Sequence, residues 1–243
     1  MKAIAETWRG LASIFLWVLI VPLMTRRASK LVGDKQKSRA LFEKSFARLR
    51  NTCRIKMKTI GTPPPVGTGC VVCYNETSFA DVFTFSATIL PHVDRAAAAD
   101  AYAMIPFARK ACKNAEIEMV PRGQRAETEL LMERVVSALH SGERVAWGGE
   151  GRLSGRDAVM RFKRGAFLLA IRAGVPIVPV ASYGGHQIWP LGSVRIRPGT
   201  VNVWFGDPID TSGYTEDTVR DLADHVQSVV ADMYAEMKAS QTP

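Results

Sequence analysis

The chain of 243 residues is poor in cysteine and histidine, with four of each, and its longest strongly hydrophobic run is only 15 residues. Four cysteines in a chain expected to face the cytosol, as argued below, read as free thiols rather than a disulfide framework. The single CxxC, Cys70-Val71-Val72-Cys73, lies in a strand-like apolar run where alternate side chains point to opposite faces, and no second CxxC completes a zinc site. Free thiols and no metal are therefore expected. The shortage of long apolar runs excludes a polytopic membrane protein, and the lack of repeats or low-complexity tracts, with 47% hydrophobic residues, excludes collagen and disorder. One folded domain with a sizeable core remains.

Acidic residues are scarce in one place. Residues 1–60 hold 14 basic and 3 acidic side chains, whereas residues 61–243 carry a net charge of −2. A nucleic-acid binder would carry its basic patch on the folded domain, so no nucleic-acid partner is expected. Here the positive charge flanks a hydrophobic segment, Gly10 to Met24, which predicts contact with an anionic membrane surface. As a helix this segment is about 22 Å long, short of the roughly 30 Å hydrocarbon core. Both a short span and a monotopic anchor remain open, with a bend expected at Pro22. A cleaved signal peptide is disfavoured because Thr25-Arg26-Arg27 follows without a small-residue cleavage pattern. Arg26, Arg27, Lys30, Lys35 and Lys37 come next, and the positive-inside rule puts the bulk of the protein on the cytoplasmic side of the membrane, the inner membrane in a bacterium.

Residues Arg39–Arg50 read as a basic amphipathic helix, with Phe42, Phe46 and Leu49 on one stripe, suited to rest on lipid headgroups. After a short strand, Ile55–Ile60, and a Pro63-Pro64-Pro65 connector, periods of two and 3.6 alternate. Strands are predicted at Cys70–Tyr74, Ile117–Val120, Arg144–Trp147 and Val175–Ser182, and helices at Ser78–Leu90, Gln124–His140 and Phe162–Ala173. A hairpin is expected over Val194–Phe205, turning at Pro198-Gly199, then a closing helix over Glu216–Ala239. The alternation predicts an α/β domain with a mostly parallel central sheet flanked by helices over 61–243, preceded by an anchoring helical segment in 1–60.

Candidate chemistry gathers where strands end. After the strand at Cys70–Tyr74 come Asn75, Glu76, Thr77, Ser78 and Asp81, which read either as two working carboxylates or as a helix cap with Asp81 in the first turn. After Trp147 comes Gly148-Gly149-Glu150-Gly151-Arg152, whose glycines permit close approach and whose arginine suits phosphate or carboxylate.

In order, these segments resemble the glycerolipid acyltransferase family that includes the 1-acylglycerol-3-phosphate acyltransferases. That family shows Asn-His-x-x-x-x-Asp after a buried strand, an Arg ending a second strand, Phe-Pro-Glu-Gly-Thr-Arg-Ser after a third, and Val-Pro-Ile-Val-Pro-Val in a fourth. The counterparts are Asn75–Asp81, Arg122, Glu150-Gly151-Arg152-Leu153-Ser154 and Val175–Val180, with Arg161–Phe167 similar to the family's Phe-Lys-x-Gly helix start. The resemblance spans roughly residues 66–210.

It implies a membrane-associated O-acyltransferase that moves a fatty acyl group from acyl-CoA or acyl-carrier protein to the hydroxyl of a lysolipid, lysophosphatidic acid or a relative, with no cofactor. The one serious departure is Glu76 at the family's catalytic His. The implied roles are proton transfer for Glu76 with Asp81, and substrate binding for Asn75, Arg122, Glu150, Gly151, Arg152 and Lys163. Burial and a like-charged neighbour would raise the Glu76 pKa toward that of a usable base, whereas a helix N-terminus would lower it. His186, in Tyr183-Gly184-Gly185-His186 beyond the fourth strand, is the alternative base, and a catalytically inactive lipid-binding protein is the alternative function.

Overall fold

The computed structural model describes residues 2–121 and 123–241. Seven strands form one sheet: β1 (Ile55–Ile60), β2 (Cys70–Tyr74), β3 (Arg95–Ala99), β4 (Ile117–Val120), β5 (Arg144–Gly148), β6 (Ile177–Tyr183) and β7 (Gly199–Phe205), in the order β1-β7-β6-β2-β5-β3-β4. The pairs β2–β5, β2–β6, β3–β4, β3–β5 and β1–β7 are parallel, and only β6–β7 is antiparallel. The mostly parallel α/β architecture expected from the alternating pattern is therefore present.

Both faces of the sheet are covered, as parallel sheets require. On one face lie α1 (Lys2–Ala28), α2 (Lys35–Cys53), α3 (Phe79–Thr88) and α4 (Ala108–Asn114), and on the other α5 (Arg125–His140), α6 (Gly165–Ala173) and α8 (Val219–Ala239). The four-residue α7 (Gly185–Ile188) follows β6. Fully buried β2 divides its side chains by parity, with Cys70, Val72 and Tyr74 in the first core and Val71 and Cys73 in the second. The two thiols of the CxxC thus point apart, and all four cysteines are free and buried. Burial pushes the Cys70 thiol up to about 11.

The 15-residue apolar run is the middle of the 27-residue α1, which continues through Pro22 to Ala28. One side of α1 docks on the domain. Gly10 abuts the Val194 carbonyl so closely that a β-carbon there would overlap it. Arg9 Nη1 donates to Ile196 O (2.8 Å), the Cys53 thiol to Ser13 Oγ (3.2 Å), and Thr25 Oγ1 to Pro106 O (2.7 Å). The opposite side exposes Ile4, Trp8, Leu11, Phe15, Val18 and Leu23, a stripe at helical spacing.

The expectation that α2 rests its apolar stripe on headgroups is corrected. Phe42, Phe46 and Leu49 turn into the core shared with α1 and the sheet, because that is where unpaired apolar surface is available. Two of its arginines are structural. Arg39 donates to Ala115 O, Leu90 O, Val93 O and Asp94 O at 2.6–3.0 Å, and buried Arg50 donates to Phe83 O (2.7 Å) while pairing with Glu43. Residues 1–60 are accordingly no separate unit: β1 is an edge strand of the sheet, and α1 and α2 supply core residues.

Three further differences have plain causes. Residues 194–198 form no strand, so the expected hairpin reduces to β7 alone; Arg197 N instead donates to Ile188 O (2.9 Å) and Ile196 N to Glu6 O (3.1 Å). The strand β3 was not anticipated, since Arg-Ala-Ala-Ala-Ala carries helical propensity that pairing with β4 and β5 overrides. The seven-residue α4 is too short for its period to register in the sequence.

Removing the Arg39 guanidinium would leave four carbonyls of the β3 approach and the α4 exit without their donor. Arg39→Ala should destabilise the protein by about 3 kcal/mol or more, whereas Lys37→Ala on the exposed side of the same helix should leave stability nearly unchanged. Chemical denaturation in detergent followed by circular dichroism measures both, and equal effects would remove Arg39 from this role.

Candidate active site

The carboxyl ends of β2, β5 and β6 are adjacent, so the segments that follow them meet. Gly149 N donates to Tyr74 O (2.8 Å), Ser154 N to Glu76 O (2.9 Å) and Gly155 N to Thr77 O (3.1 Å), stitching the exit of β5 to the exit of β2. On the other side, the buried Asn75 amide donates to Ser182 O (3.1 Å) and accepts from Ser182 N (2.7 Å), extending the β2–β6 pairing by one residue. Both ends of the Asn75 amide are therefore engaged by backbone, which fits a positioning role better than the substrate contact expected for it.

Ser78 is the N-cap of α3, and Ser78 and Asp81 form a capping box. The Asp81 carboxylate accepts from Thr77 N (2.7 Å), Thr77 Oγ1 (2.9 Å), Ser78 N (2.8 Å) and Ser182 Oγ (3.2 Å). Burial raises its pKa above the ordinary carboxylate value although these donors oppose the shift. The turn between β6 and α7 closes over this carboxylate: a β-carbon at Gly185 would overlap Asp81 Oδ1 and Ser78 Oγ. Asp81 thus belongs to the helix cap expected from the sequence, and it also borders the cavity described below.

Glu76 is half-buried, and its carboxylate lies over Gly148, where a β-carbon would overlap it. The resemblance sets a Phe of the family at this Gly. The Glu76 amide donates to Glu150 Oε1 (3.3 Å). Glu150 is 3% exposed, and burial pushes its carboxyl up to about 7, against the amide hydrogen bonds from Glu76 and Met160 and with the nearby Glu76 and Asp81 charges adding to the rise. Three carboxyl groups from two strand exits thus share one poorly solvated corner.

A cavity of about 160 Å³ opens from that corner. Asn75, Glu76, Asp81 and Ser182 line its polar end, and side chains of α1, α2, α3 and α4 line most of the rest, among them apolar Met24, Phe42, Val82 and Cys112 together with Thr25, Thr84, Ser86 and Thr88. The alanines of β3 explain the space: Ala97, Ala98 and Ala99 form part of its wall.

The basic candidates lie outside the cavity. Arg152 and Lys163 are exposed, and the Lys163 side chain packs against Gly151, held there by Lys163 N donating to Gly149 O (2.7 Å). Arg122 lies outside the described residues. His186 sits on α7 and is not among the residues that line the cavity, so the geometry does not favour it as the alternative base.

Two residues went unnoticed in the sequence. Ser182 lies inside β6 two residues after Val178-Pro179-Val180, a polar residue in a buried strand that could have flagged it. Asp157 accepts from Gln187 Nε2, Tyr234 Oη and Lys238 Nζ, each at 2.7 Å, tying the loop that carries Arg152 and Lys163 to α7 and α8; its partners are up to 81 residues away, and no local pattern announces them.

A model of the acyltransferase family matches residues 54–183. Among curated relatives, a 1-acyl-sn-glycerol-3-phosphate acyltransferase of Haemophilus influenzae is 42% identical over 88 residues, 36% of this chain and 36% of that protein. One of Escherichia coli is 42% identical over 89 residues, 36% and 35% of the two chains. The human 1-acyl-sn-glycerol-3-phosphate acyltransferase alpha is 30% identical over 128 residues, 52% and 45%. The chain thus spans between about a third and a half of the length of the curated relatives it matches. The crystal structure of the 1-acyl-sn-glycerophosphate acyltransferase of Thermotoga maritima superposes over all of both chains with a TM-score of 0.76 at 22% identity, a likeness of fold.

The raised Glu150 carboxyl makes stability depend on pH. A carboxyl with a folded pKa above its unfolded one stabilises the fold fully below about 4.5, and that contribution is lost as pH rises toward about 7. Glu150→Gln stays neutral throughout. Its stability relative to the parent protein should therefore rise by about 2–3 kcal/mol between about pH 4.5 and pH 7.5, read by chemical denaturation. A constant difference would show that folding does not raise the Glu150 pKa.

Proposed function

The chain belongs to the acyltransferase family, and from that premise we propose that it moves a fatty acyl group from an acyl thioester, carried by CoA or acyl-carrier protein, to the hydroxyl of a lysolipid such as lysophosphatidic acid. The observation that carries this reading is the cavity that joins a carboxylate-lined end to an apolar interior next to α1. A thioester held with its chain in that interior would present its carbonyl at the exits of β2 and β6. Naming of the curated relatives for the same acceptor class supports the substrate.

In the proposed reaction Glu76 takes the proton of the acceptor hydroxyl as its oxygen attacks the thioester carbonyl. Collapse of the tetrahedral intermediate breaks the C–S bond, forms the ester, and returns the proton from Glu76 to the departing thiolate. Asp81 and Asn75 position the Glu76 peptide, through the cap and through Ser182 respectively. Glu150 holds the Glu76 amide from below. Arg152, Lys163 and Arg122 take the anionic headgroup; guanidinium groups suit phosphate through paired charge-assisted hydrogen bonds. The exposed stripe of α1 supports a monotopic anchor in the membrane interface, since the other side of the helix is bound to the domain and is not available to lipid. The engagement of Asp81 by four donors favours one other reading, a lipid-binding protein without catalysis.

Glu76→Gln separates the two. The enzyme reading expects unchanged folding and lipid binding with a rate lower by about a hundredfold or more, in assays of thiol release with a panel of lysolipids and acyl thioesters. Activity at the parent rate would remove Glu76 as the base, and no transfer by the parent protein with any pair would favour the binding protein. Arg152→Lys should raise the Michaelis constant for the lysolipid several-fold and leave that for the donor nearly unchanged; the reverse would assign Arg152 to the donor's phosphates.

A further inference from the structure

The segment between β3 and α4 exposes two large apolar side chains that the proposed reaction does not use. Met104 is 89% exposed and Phe107 55% exposed. Phe107 is moreover held at φ 66° and ψ 0°, a left-handed conformation that residues other than Gly, Asn and Asp adopt rarely. Fixing a bulky aromatic in that conformation turns its ring outward at the start of α4, where water is a poor partner for it.

The same segment has an inner side. Tyr102, Ile105 and Ala108 line the cavity that leads to Glu76, so residues 102–108 form a thin wall between that cavity and the outside. The wall is tied to the end of α1: Thr25 Oγ1 donates to Pro106 O, and Asn114 Nδ2 at the end of α4 donates to Ala28 O (2.8 Å). The exposed apolar stripe of α1 reaches Leu23 at this point and gives way to exposed Arg26, Arg27 and Lys30, while exposed Arg109 and Lys110 follow Phe107. Apolar tips ringed by cations match the interface of an anionic bilayer, in which the rings and thioether enter the acyl region and the cations meet the headgroups.

We propose that the Met104–Phe107 loop inserts into an anionic lipid bilayer as a second membrane contact beside α1, and forms the lipid-facing wall of the cavity. The proposal rests on the reading of α1 as an interfacial helix, and it adds a partner surface that α1 alone does not supply. Two contacts at separate points fix the orientation of the domain on the membrane, which one amphipathic helix leaves free to roll.

The test uses the full chain and vesicles of phosphatidylglycerol and phosphatidylethanolamine in equal parts. The double substitution Met104→Ser with Phe107→Ser should weaken vesicle binding about tenfold while circular dichroism and the unfolding midpoint stay unchanged. Because the four native cysteines are buried, single variants Met104→Cys and, on α1, Phe15→Cys can carry an environment-sensitive fluorophore, read for quenching by lipids brominated along their chains. Quenching at both positions is the expected result. Quenching at position 15 but not at 104 overturns the loop proposal and leaves the interfacial helix standing, and quenching at neither overturns both. Quenching at 104 alone overturns the reading of α1 and with it the proposal of a second contact beside that helix.

Discussion

The site depends on one seam, the set of backbone hydrogen bonds that joins the exit of β2 to the exit of β5. Parallel strands end at the same level, so their last carbonyls and the first amides beyond them face each other without a ladder to satisfy them. Tyr74, Glu76 and Thr77 give their carbonyls to Gly149, Ser154 and Gly155, and the Glu76 amide gives its hydrogen to the Glu150 carboxyl. The peptide that carries Glu76 is thereby held from both of its faces. Gly148 ends β5 and Gly149 follows it because nothing larger fits: the Glu76 carboxylate occupies the volume a side chain at position 148 would need, and Phe162 the volume beside Gly149.

That seam concentrates carboxyl groups where water is scarce, and the fold compensates unequally. Asp81 receives two backbone amides and two hydroxyls that oppose the rise burial imposes, whereas Glu150, with fewer donors against its burial, is pushed up to about 7. The acidic residues of the corner therefore differ in the work their surroundings fit them for, although the side chains are chemically alike. Asp81 helps to cap α3, Glu150 supports the Glu76 peptide, and Glu76 lines the polar end of the cavity.

The amino-terminal region shows how much charge a fold can consume. Of its basic residues, Arg9, Arg39 and Arg50 donate to carbonyls of the domain, a use in which a guanidinium with several donors in fixed directions outperforms a lysine. The cations left for a membrane are those at the end of α1 and on the outer side of α2, such as Arg26, Arg27, Lys44 and Arg48. Apolar surface is divided in the same way: a helix whose composition alone would allow it to cross a bilayer gives one side to the domain and keeps the other outside.

The alternating hydrophobic periods by themselves determined the α/β class, most of the strands and helices, and the two strand exits at Asn75 and Glu150 where chemistry gathers, because periodicity and capping are local properties of neighbouring residues. The apolar run of α1 was equally plain. What only the tertiary structure decided were relations between distant residues: that the stripe of Phe42 and Leu49 faces the core rather than lipid, that four alanines form β3 and leave room for a cavity, and that Asn75 spends its amide on Ser182. A stripe, an alanine run or an amide has the same local energetics in either role. The difference lies in which unsatisfied surface the rest of the chain brings to it, and that is settled only when the sheet closes.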